Sequence, residues 1–336
     1  MFLFKHPPVS ARQDGDPARP AAKHRKAWII LTAVLLTIAV AAAVWLILRR
    51  TAPLPECPGN ASDGSFSPDE QDVLTAVCLS YLTYGCETAS GSFTGTVSDL
   101  IDAEEMGILS ENFGVVRRNE NDPATALFDT SDLIRGTVGH LRCLCAEKDE
   151  KSSFFGAAFC DDERKCVWIA YAGSVSFRDA LTCAGLVLAP RLTAQEKAAF
   201  DLYADAAARD EVARDGYRVI LTGHSLGGAL AAMVSAASGC PAVTVNGADG
   251  LGADKILSLM RGAGDCTGVH NFLTRPEKGL SFMEFVERLM FLGKGEGVDS
   301  RVMPAGGLTT DTHSAFSFIR FRDGDTAQPY IPEPEA

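Results

Sequence analysis

One hexapeptide, GHSLGG at residues 223–228, limits what this chain can fold into more than any other feature. The run before it, YRVILT at residues 217–222, is short and apolar, which is typical of a buried parallel strand. The alanine-rich residues after it, 226–238, predict a helix that ends at Gly239. This order of strand, GxSxG turn and helix predicts a nucleophile elbow, in which glycines permit a tight turn and the hydroxyl of Ser225 stands clear of the sheet. A glycine-rich turn with an inert serine is the alternative.

The alternation of strand and helix continues beyond the hexapeptide. Residues 243–245 and 269–273 predict strands, and residues 253–261 between them predict a helix. Upstream, the apolar runs 154–160 and 166–172 flank a charged turn and predict a β-hairpin. We therefore expect an α/β fold, with a mainly parallel sheet and helices on both of its faces.

Two capping boxes predict where further helices begin. The sequence SPDE at residues 67–70 precedes apolar residues at helical spacing, which indicates a helix with one buried face. The sequence TAQE at residues 193–196 opens a second helix, rich in alanine and charged residues, which we expect to end at Gly216.

The N-terminal part of the chain has the properties of a membrane anchor. Residues 27–48 form a stretch of 22 residues without a charge. As a helix it would be roughly 33 Å long, enough to cross a bilayer, and it is too long for the cleaved signal peptide that is the alternative. Six of the eight Lys and Arg residues in the first 50 positions precede it, so we expect a cytoplasmic N-terminus and an extracytoplasmic C-terminal part. The expected segments are a basic cytoplasmic tail (1–26), a transmembrane helix (27–48), a linker rich in proline and glycine (49–66), a folded domain (67–322) and an acidic tail (323–336).

Charge and cysteine content restrict the function of the outer part. Of the net charge of −12, the first 50 residues contribute +6, because eight basic residues outnumber two acidic ones, and residues 51–336 carry the remaining −18. We therefore expect no binding of nucleic acid or anionic lipid by charge. All ten cysteines follow the predicted span, which favours disulfides, with Cys160 and Cys166 closing the hairpin; free buried thiols are the alternative. No zinc-binding spacing occurs, and we expect neither a metal nor a cofactor.

A serine hydroxyl needs a base before it becomes a nucleophile, and the chain has six histidines. Two precede the predicted span and His224 lies inside the hexapeptide, which leaves His140, His270 and His313. In α/β-hydrolases the base follows the nucleophile along the chain, which excludes His140. His270 lies within the predicted strand at 269–273, whereas His313 lies in a polar loop. We predict that His313 is the base.

The sequence around the hexapeptide resembles the class 3 lipases, the fungal-type triacylglycerol lipases and their relatives, over roughly residues 150–315. GHSLGG is the form of the elbow that this family favours, and WIAYAGSVSFRDAL at residues 168–181 is similar to the family's strand with a Gly-Ser or Gly-Thr oxyanion segment. The resemblance implies an α/β-hydrolase fold and an oxyanion hole formed by the backbone N–H groups of Ser174 and Leu226. The family usually has an arginine where this chain has Ala172.

The resemblance also implies a place for the third catalytic residue. The family's acid follows a strand that corresponds to residues 269–273, and this chain has Glu277 there instead of the family's aspartate. A glutamate can orient the histidine and stabilise its cation in the same way. Two other acids stay open as alternatives, Asp249 and Asp299.

These features together predict a single-pass membrane protein whose outer domain is a serine hydrolase. By the resemblance, its substrates are carboxylic esters of lipids, acylglycerols or phospholipids, cleaved through an acyl-enzyme on Ser225. One alternative is an esterase or acyltransferase acting on envelope polymers or small acyl esters. Another is a catalytically inactive lipase-like domain that only binds.

Overall fold

A computed structural model describes twelve parts of the chain, which are residues 66–86, 95–102, 116–117, 127–128, 130–149, 152, 154–173, 194–247, 268–274, 298–304, 319–321 and 329–334. The chain divides into two units, Met1–Thr51 and Ala52–Ala336, and all described residues lie in the second. Among them, no helix has both the length and the apolar character that crossing a bilayer requires. The predicted span at residues 27–48 and its flanking tail lie outside the described residues, so the anchor stays a prediction.

The described strands form one main sheet and two short pairs. In chain order the strands are β1 (Val116–Arg117), β2 (Leu127–Phe128), β3 (Arg142–Asp149), β4 (Phe154–Asp161), β5 (Cys166–Tyr171), β6 (Arg218–His224), β7 (Ala242–Val245), β8 (Val269–Thr274), β9 (Asp299–Met303), β10 (Arg320–Phe321) and β11 (Pro329–Tyr330). The main sheet has the order β3-β4-β5-β6-β7-β8-β9. Strands β5 to β9 run parallel, whereas β3 and β4 are antiparallel at one edge. The predicted mainly parallel sheet and the hairpin β4–β5 are therefore confirmed.

Helices cover both faces of this sheet. In chain order they are α1 (Glu70–Cys86), α2 (Val97–Asp102), α3 (Thr130–Val138), α4 (Ala194–Ala207), α5 (Asp210–Ala213) and α6 (Leu226–Ser238). Along β5, Cys166, Trp168 and Ala170 pack on one face with apolar residues of α1 and α3. The intervening residues Val167, Ile169 and Tyr171 pack on the other face with α4 and α6. Because both faces are buried, the strands are apolar throughout instead of alternating with polar residues.

The first helix begins at Glu70, two residues later than the capping box at residues 67–70 predicted. In α1 the backbone N–H of Asp69 donates to Asp72 Oδ2 at 3.0 Å, and the N–H of Asp72 donates to Asp69 Oδ1 at 2.8 Å. This is a reciprocal capping box, but its residues are the two aspartates and not Ser67 and Glu70. Arg164 binds both aspartates at 2.8 Å and so joins this helix start to the β4–β5 turn.

The predicted second helix is shorter than expected. It begins at Ala194, as the capping box at residues 193–196 predicted, but it ends at Ala207. A separate four-residue helix, α5, follows it, and Gly216 lies beyond with a φ of +72°. The predicted helix at residues 253–261 lies outside the described residues.

The predicted disulfide between Cys160 and Cys166 is wrong. In the β4–β5 hairpin Cys160 is paired with Val167, and Cys166 is paired with Asp161. Neighbouring positions in a strand point to opposite faces, so the two thiols pack in different cores and cannot meet. The described cysteine side chains are all free and buried, and burial raises the pKa of both Cys160 and Cys166 to about 12. They are small core side chains with unreactive thiols.

Candidate active site

The predicted nucleophile, Ser225, lies between the last residue of β6 and the first residue of α6. This is the carboxyl edge of the parallel strands, where α/β folds place their ligands. The backbone of Ser225 has φ 54° and ψ −123°, which is outside the regions that side-chain-bearing residues occupy easily. Such a conformation costs about 1–3 kcal/mol and persists only where the surrounding structure enforces it. The turn has the geometry of the predicted elbow, while the catalytic role of the serine stays a prediction.

Two glycines of the hexapeptide permit this turn by their lack of a side chain. A Cβ on Gly227 would lie 2.1 Å from the carbonyl oxygen of Tyr171, at the end of the neighbouring strand β5. A Cβ on Gly223 would lie 2.3 Å from the carbonyl carbon of Gly227. No real Cβ approaches other atoms so closely, so both positions require glycine for the backbone to fold back on itself.

The two predicted oxyanion donors belong to neighbouring parts of this edge. Leu226 is the first residue of α6, where backbone N–H groups lack partners within the helix and favour negative charge. Ser174 lies outside the described residues, but Gly173 directly before it is described. A Cβ on Gly173 would lie 2.6 Å from the carbonyl oxygen of His224, so the segment that leads to Ser174 passes against the elbow.

The predicted base and acid, His313 and Glu277, both lie outside the described residues. The nearest described position to the acid is Thr274, the last residue of β8, at the same edge of the sheet as Ser225. Strand β8 is two strands away from β6, which corresponds to roughly 10 Å. The chain therefore leaves β8 towards Glu277 from a suitable edge, and the roles of both residues stay predictions. Asp249, one of the alternative acids, also lies outside the described residues.

A buried amide network, which the sequence analysis missed, fixes this edge between β7 and β8. The backbone N–H and the hydroxyl of Thr274 donate to Asn246 Oδ1 at 2.8 and 3.1 Å. Asn271 Oδ1 accepts from the hydroxyl of Thr244 at 2.9 Å and from the N–H of Gly247 at 3.2 Å. Asn246 has a φ of 43°, a conformation that asparagine tolerates better than most residues. The pair Asn246-Gly247 after an apolar strand was the available sequence signal for this turn.

The other alternative acid, Asp299, is paired elsewhere. Its Oδ2 lies 3.0 Å from Nδ1 of His270, and Arg301 donates to the same oxygen at 2.8 Å. Burial alone would raise the pKa of Asp299, but the hydrogen bonds from His270 and Arg301 lower it overall. The register of the sheet aligns Asp299 with Thr222, across three strand spacings that amount to roughly 14 Å. Thr222 precedes Ser225 by three residues, so along the strand direction Asp299 is a further distance of roughly 10 Å from Ser225, at one strand rise per residue. Asp299 is therefore poorly placed to orient a base at Ser225.

The remaining described histidines have structural partners away from Ser225. His270 also lies 3.1 Å, through Nε2, from the carbonyl oxygen of Phe66, which makes it a satisfied residue of the sheet. His140 lies 3.9 Å from Asp161, beside the start of β5 and thus at the opposite edge from Ser225. Its exclusion from the catalytic role agrees with this position.

A cavity of about 550 Å³ lies at that opposite edge, where β5 and β6 begin. Its lining includes the charged residues Asp69, Asp72, Arg164, Lys165 and Arg218. Arg164 is neutralised there by the two aspartates of the helix cap. Lys165, which lines the cavity and has a φ of 55°, donates to the hydroxyl of Tyr217 at 2.8 Å. The cavity lacks the strand–serine–helix turn that the elbow supplies, so its size does not make it the better candidate for the active site. Within the described ranges, no group of His, Cys, Asp and Glu side chains could hold a metal ion.

One tyrosine that the sequence analysis did not single out reaches the elbow. The hydroxyl of Tyr84, near the end of α1, shares a hydrogen bond of 2.8 Å with Nδ1 of His224. The two rings meet edge to face, with centroids 5.8 Å apart and planes at 66°. The sequence signal was spacing, since Tyr84 lies seven residues after Val77 and thus on the same buried face of the helix.

Comparison with known proteins agrees with this geometry. Residues 132–272 match the family model described as phospholipase-like, a Tle-like phospholipase domain. The resemblance to lipases is thereby confirmed. The matched region runs from α3 to β8 and contains the elbow. No curated protein matches the chain.

Several solved lipase structures are distantly similar to the chain. The lipase from Rhizopus microsporus var. chinensis has a TM-score of 0.40 and 12% identity, over 85% of this chain and 90% of that one. The mono- and diacylglycerol lipase from Aspergillus oryzae has a TM-score of 0.38 and 14% identity, over 80% and 87%. Lipase II from Rhizopus niveus has a TM-score of 0.34 and 16% identity, over 61% and 76%. Scores of this size describe only a weak overall likeness.

The steric requirement at Gly227 predicts that Gly227→Ala destabilises the fold. The new Cβ would collide with the carbonyl oxygen of Tyr171, and relief of the collision must move α6 away from β5. We expect the free energy of unfolding to fall by about 1–3 kcal/mol, as measured by urea unfolding of the solubilised chain.

The matched control is Gly136→Ala, in the exposed part of α3. A Cβ there has no atom within 4 Å, and alanine is the better helix former, so this variant should gain about 0.5–1 kcal/mol. Equal stability of the two variants would contradict the close approach of α6 to β5.

Proposed function

We propose that this chain is a membrane-anchored serine hydrolase that cleaves carboxylic esters of lipids, acylglycerols or phospholipids, through an acyl-enzyme on Ser225. The observation that carries the proposal is the strained backbone of Ser225 between β6 and α6, at the carboxyl edge of a parallel sheet. The match of residues 132–272 to a phospholipase domain supports lipid esters as the substrate class.

The proposed reaction has two halves. Ser225 Oγ attacks the ester carbonyl while His313 accepts its proton, and Glu277 holds the imidazole in orientation and stabilises its cation. The ester C–O bond then breaks, and the alcohol leaves with the proton from His313. In the second half, water attacks the acyl-enzyme while His313 accepts the proton of the water, and His313 returns this proton to Ser225 Oγ as the acyl–serine bond breaks. The product acid is released and the serine hydroxyl is restored.

The oxyanion of each tetrahedral intermediate would be stabilised by the N–H groups of Leu226 and Ser174. The start of α6 supplies the first donor in a fixed place, because the strained turn holds the helix end against β5 and β6. A donor that is fixed before the reaction needs no reorganisation when the charge develops, and one such donor is worth about 10²–10³ in kcat.

The anchor and the topology belong to the same proposal. The uncharged stretch at residues 27–48 and the six basic residues before it support a single span with the N-terminus in the cytoplasm. The tether would keep an acidic catalytic domain close to a lipid surface that it does not bind by charge. Its substrate would then come from the membrane without adsorption of the domain from solution.

Two other functions are separated from this one by simple measurements. An esterase or acyltransferase for small or envelope esters should prefer short chains in a p-nitrophenyl ester series, whereas a lipase should prefer longer ones. An inactive binding domain should react with neither the esters nor a fluorophosphonate probe.

The first test is Ser225→Ala, which should abolish ester hydrolysis and fluorophosphonate labelling. The loss should span several orders of magnitude, because nucleophile, base and acid act as a unit. Ser235→Ala is the control, since it removes a hydroxyl of the same helix that donates to the carbonyl of Cys240 at 2.6 Å. Substantial hydrolysis by the Ser225→Ala chain would exclude the proposed nucleophile.

If Glu277 is the catalytic acid, three variants should differ in kcat. Glu277→Gln should lower kcat by roughly 10²–10⁴-fold, because the imidazole loses its orienting partner. Asp299→Asn should leave kcat close to that of the wild type, since Asp299 already pairs with His270 and Arg301. Asp249→Asn tests the remaining alternative, and a collapse of kcat in that variant with normal Glu277→Gln activity would reassign the acid.

The proposed topology predicts that protease added to intact cells digests the domain at residues 67–322. A tag at the N-terminus should be protected until the membrane is permeabilised, because the basic residues keep it in the cytoplasm. Immunoblots of the two ends measure this directly. Protection of the C-terminal part in intact cells would refute the proposed orientation.

A further inference from the structure

The hydroxyl of Tyr84 lies in the corner between two parts of the proposed catalytic site. On one side is His224, which directly precedes the nucleophile; its Nδ1 lies 2.8 Å from the hydroxyl and its carbonyl oxygen lies 3.4 Å away. On the other side is Gly173, which directly precedes the proposed donor Ser174. A Cβ on Gly173 would come within 2.0 Å of the tyrosyl oxygen, so the hydroxyl fills the space beside that glycine.

Tyr84 is itself held by a helix that packs firmly on the sheet. The buried residues of α1 lie in the same core as Trp168 of β5 and Ile220 of β6. One turn before Tyr84, the hydroxyl of Ser80 lies 3.3 Å from that of Thr222 on β6. Because α1 is held against the sheet, the side chain of Tyr84 has a fixed place beside the carboxyl ends of β5 and β6.

The contact with the imidazole is directional, and the side chain of His224 is almost fully buried. In a neutral imidazole Nδ1 either accepts from the tyrosyl hydroxyl or donates to its oxygen, and both arrangements fix the ring in one orientation. Because His224 and Ser225 are adjacent, a fixed ring limits the rotation of the backbone that carries the nucleophile.

We propose that Tyr84 is a positioning residue that sets the separation between the oxyanion segment at Gly173 and the nucleophile elbow through its hydrogen bond to His224. This inference rests on the proposed function of Ser225. Oxyanion stabilisation depends on donor positions to within a fraction of an ångström, and a small shift of one donor relative to the nucleophile weakens it. The tyrosyl hydroxyl touches both elements, so its removal loosens both without removing any reacting group.

The test compares Tyr84→Phe with Tyr203→Phe in the full chain. Tyr203 is the matched control, since its buried hydroxyl lies 3.5 Å from Cys240 Sγ on the other face of the sheet. For Tyr84→Phe we expect kcat to fall by roughly 10–100-fold with KM changed less than about 2-fold, somewhat less than the loss of a whole oxyanion donor. The rate constant for fluorophosphonate labelling should fall in parallel, because phosphonylation uses the same donors.

The end point of the labelling separates positioning from folding. A positioning role leaves the final number of labelled sites per chain unchanged and lowers the rate at each site. A merely structural role lowers the number of sites in proportion to the unfolded fraction and leaves the rate constant unchanged. Tyr203→Phe should at most show the second behaviour.

A second variant tests the route through the imidazole. His224→Asn keeps a polar atom near the position of Nδ1 and should retain more activity than His224→Gln, which does not. Tyr84→Phe combined with His224→Gln should be no slower than the slower single variant, because both remove one interaction.

Three results would overturn the inference. The first is a labelling rate constant for Tyr84→Phe within about 3-fold of the wild type. The second is a decrease in the number of labelled sites without a decrease in the rate constant. The third is a double variant whose decrease in rate equals the product of the two single decreases. Absence of labelling in the wild-type chain would instead remove the proposed function, and this inference with it. Normal wild-type labelling with an unaffected Tyr84→Phe chain removes the positioning role alone.

Discussion

The close approach of the start of α6 to the ends of β5 and β6 is the constraint on which the rest of the structure depends. It places the backbone at Gly227 against the carbonyl of Tyr171 and leaves no room for a side chain. Only a chain that crosses directly from a buried strand into a helix can make this contact. The described crossing through α6 carries the chain from β6 to its parallel neighbour β7, whereas α1 and α3, which cover the other face, precede the main sheet in sequence.

The strain at Ser225 has to be offset by the packing around it. Strand β6 is buried from Val219 to His224, in the centre of the sheet. On one face, the hydroxyl of Thr222 donates to the carbonyl of Ala76 in α1 at 3.4 Å, which ties that helix to the strand below the elbow. On the other face, α6 ends at Ser238, and its cap Gly239 has a left-handed φ of 74° and donates its N–H to the carbonyl of Ser235. The buried strand before the turn and the buried helix after it hold the turn in its unfavourable conformation.

The sequence predicted those elements whose residues face the core on both sides. Strands β4 to β8 are almost wholly buried, so their apolar runs were visible in the sequence. Helix α6 was predicted to the residue because the GxSxG motif marks its start and Gly239 marks its end. The edge strands β3 and β9 were missed, since each contains charged residues and is only partly buried, so neither forms a continuous apolar run. The disulfide was wrong because spacing does not reveal on which face of a strand a cysteine lies. Tyr84 was missed because its partner is 140 residues away in sequence, and no local pattern encodes that contact.

The two edges of the sheet differ in a way that matters for the proposed chemistry. At the amino edge the described side chains form ion pairs, such as Arg164 with two aspartates and Arg142 with Glu211 at 2.8 Å. Around Ser225, the described polar side chains that fix the edge are neutral amides, hydroxyls and an imidazole, those of Asn246, Thr274 and the Tyr84–His224 pair. Hydrogen-bonding side chains that are fixed before the reaction would need no reorganisation when negative charge develops on an ester oxygen in the proposed reaction. In the part of the chain that the structure describes, the ion pairs of Arg164 and Arg142 thus lie at the amino edge, and the side chains next to Ser225 offer hydrogen bonds that suit the proposed oxyanion.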